Sequence, residues 1–124
     1  MPGCVFVCAA GQPPAVYAVK QRPKSLDQPV WQLPAYNVFA RGGTCQGTAR
    51  YSEDVAHHPE EFFEARFSVA GDVRERSRQY PDDLAARWKS LDGGKTYPLD
   101  DLVPMGDGTR QLTLEDVLEG RNGA

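Results

Sequence analysis

Ten prolines and twelve glycines punctuate the 124 residues of this chain. Proline removes a backbone donor and biases its predecessor to extended backbone, and glycine weakens any helix or strand interior it enters. The chain is therefore expected to fold into short elements joined by much loop, not into a bundle of long helices. The clearest case is "QRPKSLDQPVWQLP", residues 21–34, where prolines at 23, 29 and 34 mark a loop or edge segment.

Between these breaks the first half reads as β-structure. "CVFVCAA" and "AVYAVK" are rich in β-branched and aromatic residues and flank the turn-like "GQPP", which predicts a hairpin. "AYNVFAR" reads as a third strand stopped by Gly42 and Gly43, and "TCQGTARYS" as a possible fourth. Gly42 and Gly43 are expected to supply positive φ at that turn and Gly47 a bulge. Residues 59–80 stay open between helix and strand. Pro59 and the following glutamates suit a helix over 59–66, "EARFSVA" alternates like a half-buried strand, and the "VAGDV" turn favours a hairpin partner in "DVRERSRQY".

The last third turns helical. In "YPDDLAARWKSLDGG", Pro81 stands near the start, Asp82 and Asp83 are expected in the first turn and Gly93 just past the end, while Leu84, Trp88 and Leu91 form one apolar face. "TYPLDDLVPM" is a short turn or helix between prolines. "TLEDVLEG" carries a capping-box spacing from Thr113 to Asp116 and closes on Gly120. The fold class is α+β: one domain over residues 1–124, a small antiparallel sheet from the N-terminal two-thirds, and one or two helices packed on it from the C-terminal third.

Composition bounds the function class. With 40% hydrophobic and 25% charged residues the chain is globular in type, and no apolar run approaches the ~20 residues of a membrane span. The apolar N-terminus has no basic leader and reads as a core strand. Three cysteines cannot complete a disulfide framework, so reduced thiols and a cytoplasmic location are expected. The net charge of −3 is unevenly spread: residues 1–50 hold five basic residues against one acid, residues 51–124 nine against sixteen.

The tempting motifs are weak. "GGTCQGT" has glycines but neither the lysine nor the following helix of a phosphate loop. A nucleophile at Cys45 would need His57 or His58 as its base, with Asp54 or Glu60 to orient it. Cys4, Cys8, Cys45, His57 and His58 nominally supply metal ligands, but Cys4 and Cys8 flank Phe6 on a strand like a core stripe, and adjacent histidines face apart. No metal and no cofactor are expected. Arg74, Arg76 and Arg78 would form a row on a strand, yet a pI of 5.3 argues against a nucleic-acid binder.

Acidic pairs are more numerous. Glu60-Glu61, Asp82-Asp83 and Glu115-Asp116 lie at expected helix starts, where the helix dipole favours anions, and Asp100-Asp101 adds a fourth pair. Residues 81–119 hold nine acids against four basic residues, a surface that would repel nucleic acid and steer basic protein surfaces. The preferred reading is a non-enzymatic protein-binding module, of inhibitor, immunity or adaptor type. It would dock onto a basic partner protein through Asp82, Asp83, Asp100 and Asp101, with Trp31 as an apolar anchor. The alternative is a small enzyme or ligand-binding protein built on Cys45 with His57 or His58. Monomer and homodimer both remain open.

Overall fold

The computed structural model describes residues 1–36, 38, 41–44, 50–64, 74–106 and 110–120. Its element order begins with the expected hairpin: β1 (Gly3–Val7) pairs antiparallel with β2 (Ala15–Val19). The register runs from Gly3 opposite Val19 to Val7 opposite Ala15. Both faces of this ribbon are apolar, so it carries core on each side. Val16 and Ala18, with Cys4 and Phe6, join a cluster that includes Leu33, Tyr51, Phe62, Tyr97 and Leu102. Tyr17 and Val19, with Val5 and Val7, face a second cluster of Val30, Met105, Leu112, Leu114 and Val117. The two-residue period of a strand sorts the side chains into these layers.

The expected third and fourth strands reduce, among the described residues, to isolated bridges. Ala15 pairs with Gly43 and Val38 with Thr44, while Trp31 bridges both Ala18 and Pro104. Backbone bonds from Ala18 N to Trp31 O and back again, at 2.8 and 2.9 Å, lay the proline-rich segment against the free edge of β2. Pro29 and Pro34 on either side prevent that contact from extending into a ladder. Residues 37, 39, 40 and 45–49 of the two expected strands, Cys45 and Gly47 among them, lie outside the described residues, as do residues 65–70 of "EARFSVA", whose Glu64 ends the first helix.

Three short α-helices follow among the described residues. α1 (His58–Glu64) continues a one-turn 3₁₀ segment, Val55–His57, that Asp54 caps by accepting from the Ala56 N–H. α2 (Leu84–Ser90) begins one residue after Asp83, whose side chain accepts from the Ala86 N–H. The two aspartates thus precede this helix and Asp83 caps it, as the short polar side chain of an N-cap should. α3 (Leu114–Leu118) has the capping box read from the sequence, with Thr113 and Asp116 bonding reciprocally, and Gly120 follows with φ 85°. α1 and α2 pack on the even-numbered face of the hairpin through Phe62 and Trp88, and α3 on the odd-numbered face through Leu114 and Val117. The chain is α+β.

Residues 74–80 correct the arginine-row expectation. They form turns, with Glu75 at φ 59°, instead of a strand. Arg74 and Arg78 are exposed, but Arg76 is buried and donates from Nη1 to the carbonyl of Val38 at 2.6 Å. An alternating pattern reflects one shared face only when the backbone is extended.

Candidate docking surface

Of the acidic residues singled out above, Asp82, Asp83 and Asp100 are exposed. Asp101 is not: it is 4% exposed, at the end of the 3₁₀ segment Leu99–Asp101. Its Oδ2 accepts from Ser77 Oγ at 2.5 Å and Tyr97 Oη at 2.7 Å, and lies 3.3 Å from Arg87 Nε. Its Oδ1 accepts from the Gln79 N–H at 2.8 Å. Burial alone would raise the pKa of this carboxyl, but the Ser77, Tyr97 and Gln79 hydrogen bonds and the Arg87 charge outweigh it and hold the group below the usual carboxylate range. Burial, and after it the hydrogen bond to Asp101 and that carboxylate's charge, push the Tyr97 phenol well above its ordinary value, against the opposing effects of Ser77 and Arg87. Asp101 therefore serves the interior of the molecule and is unavailable to a partner.

Trp31 is half-buried, packed against the first core cluster, with Lys20 Nζ 3.8 Å above its ring. A half-buried ring packed against core and covered by a cation is a lid over that core, in contrast to an open anchor.

The histidine pair is split by the start of α1. His57 is exposed and lies 3.5 Å from Asp54 Oδ2. His58 is fully buried, stacked edge-on against Tyr51, with its Nε2 2.8 Å from the Ser52 carbonyl. A carbonyl only accepts, so Nε2 carries the proton. Cys45 lies outside the described residues. Burial pushes the Cys4 thiol up to about 11, and it raises Cys8 as well, so neither thiol is activated. Among the described residues no three histidine, cysteine or acidic side chains cluster as metal ligands would, and no helix is long and apolar enough to cross a membrane.

One feature absent from the sequence reading is an apolar groove of about 320 Å³. It is walled by Pro34, Ala35 and Tyr36, by Phe62 and Phe63 of α1, by Trp88 of α2 and by Met1. Trp88 Nε1 donates to the Pro34 carbonyl at 2.9 Å, which ties two of these walls together. Phe63 is 56% exposed, yet its ring is held edge-on by Phe6 and Phe62 at 6.1 and 5.1 Å. The only sequence signal was the doubled phenylalanine: on a helix, neighbours point about 100° apart, so one buries while the other stays near solvent.

Residues 1–105 match the family model described as prokaryotic E2 family D, most of the chain's length. No curated protein and no solved structure matches it.

Proposed function

The chain belongs to prokaryotic E2 family D, and from that premise we propose that it is a protein-interaction module of a ubiquitin-like pathway that docks a basic partner protein through an acidic surface. The observation that supports this most directly is the exposure of Asp82, Asp83 and Asp100 together on a chain of net charge −3. Exposed charges of one sign raise the rate of encounter with an oppositely charged surface more than they strengthen the final complex. A role of inhibitor, immunity or adaptor type in the cytoplasm belongs to the same reading, with Asp101 tying α2 down through Arg87 beneath the exposed aspartates.

The test is capture of partners on the immobilised chain at low salt, followed by purification of the captured protein. Association is then measured with the wild type and the D82K/D83K/D100K variant. The expected partner is basic and binds the variant more slowly. A partner that binds both alike would overturn the acidic-face reading.

A second reading keeps Cys45 as a nucleophile with His57 or His58 as its base. Burial raises the thiols of Cys4 and Cys8, so in this reading Cys45 is the thiol left to react. His57 is the accessible histidine of the pair. Thiol titration tests it: one thiolate reacting well below pH ~8.5, lost in C45S, is the expected result. Three inert thiols would end this reading.

A further inference from the structure

The apolar groove and the acidic residues are neighbours. Asp83 caps the helix that carries Trp88, and its charge, after burial, contributes to holding the groove's Tyr36 phenol above its ordinary value. On the opposite wall, α1 presents Phe63 beside exposed Glu60 and Glu64, and Glu60 lies one helical turn before Phe63 on the same side. Of the five acids in residues 51–64, Glu61 accepts from the Ser52 N–H and Glu53 lies beside Gly11, and Glu60 and Glu64 are the exposed acids of α1 itself. A pocket with aromatic walls, flanked by the exposed acids of α1 and of the start of α2, has the anatomy of an anchor site in a protein interface: an apolar centre and a polar border.

We propose that the groove between α1, α2 and residues 34–36 receives a bulky apolar side chain from a lysine- or arginine-rich segment of a partner protein. This rests on the reading of Asp82, Asp83 and Asp100 as a docking face and names the part of the partner that this face would hold. Charge complementarity selects this occupant over the others. In a symmetric dimer the same patch meets itself, which would bring Glu60, Glu64, Asp82 and Asp83 against their own copies. An anionic membrane surface would be repelled by the same acids. The groove's volume suits one large side chain or two small ones, and its rigid rings lose little freedom when it fills.

The experiment titrates the full chain with three synthetic peptides and follows the indole N–H of Trp88 by NMR. The first peptide carries a Leu-Phe pair flanked by lysines, the second replaces the lysines with glutamates, and the third replaces Leu-Phe with alanines. Only the first should shift the Trp88 indole saturably. Phe63→Ala should weaken it at least about tenfold, as loss of an anchor contact does, and Asp82→Lys, which leaves the Asp83 cap of α2 in place, severalfold. Phe63 is already exposed, so that variant retains its fold, which unshifted α3 signals verify. Equal binding of the glutamate or alanine peptide, no response to any peptide, or Trp88 shifts that follow dilution of the chain alone or addition of anionic vesicles would each overturn the proposal. The two readings fail separately. If D82K/D83K/D100K slows the captured partner while the peptides leave Trp88 unmoved, the acidic face stands and the groove falls. If the lysine peptide fills the groove while partner binding ignores the variant, the reverse holds.

Discussion

Gly42 is where one residue decides the local path of the chain. Its φ of 92° is one that side chains rarely adopt, and a Cβ there would meet the Tyr17 ring at 2.4 Å. Tyr17 in turn donates to the Arg41 carbonyl at 3.2 Å, so the ring has little room to retreat. Gly42→Ala should destabilise the fold by at least about 1–2 kcal/mol from the backbone alone, with the ring contact adding to it. Urea denaturation measures the loss, and a variant within about 0.5 kcal/mol of wild type, the range of a neutral surface change, would contradict this view of the turn. The double glycine was legible as a turn, but the adjacent roles were not. Of the two glycines expected to take positive φ, only Gly42 does; Gly43 lies in a bridge to Ala15, and the long-range approach of Tyr17 adds to the difference.

Among the elements, the turn region 74–80 and the helix α2 depend on Asp101. The Arg78 N–H donates to its carbonyl at 2.9 Å, the Gln79 N–H to its carboxylate, and Arg87 reaches it from α2. Arg87 also donates to Gln79 Oε1 and lies over the Tyr80 ring. Asp101→Asn would leave Arg87 buried without its counter-charge, a loss of about 3–5 kcal/mol for a buried pair. The acid dependence has a definite sign. Because folding depresses the Asp101 pKa, its contribution is complete above the unfolded carboxylate value of about 3.9 and is lost as pH falls through the lower folded value. Thermal melts should therefore show a wild-type acid limb that is shallower in D101N, since Asn does not titrate. Identical acid limbs would remove Asp101 from this role. The helices themselves were legible: Leu84–Ser90 and Leu114–Leu118 follow from local caps and spacing. The Asp100-Asp101 pair was not, because one acid faces water and its neighbour an arginine far along the chain. Arg76 escaped for the same reason, since its acceptors at Leu33 and Val38 are about forty positions away.

Over the whole molecule, a hairpin with core on both faces explains why its strands show no polar alternation, and why the helices divide between two sides. The division leaves α1 and α2 together beside the groove, with the exposed aspartates of 82 and 83 at the start of α2 and Glu60 and Glu64 on α1. The acidic character of this region was legible in composition. The groove was not, because Pro34, Phe63 and Trp88 are brought together only by the fold. A docking face of this kind predicts association governed by long-range charge, which salt screens over about 8–10 Å. The most direct measurement is the association rate of the captured partner across a series of salt concentrations, for wild type and D82K/D83K/D100K. The rate should fall steeply with salt for the wild type and start lower and vary less for the variant. A rate indifferent to salt, or unchanged by reversing the three charges, would contradict the acidic docking face.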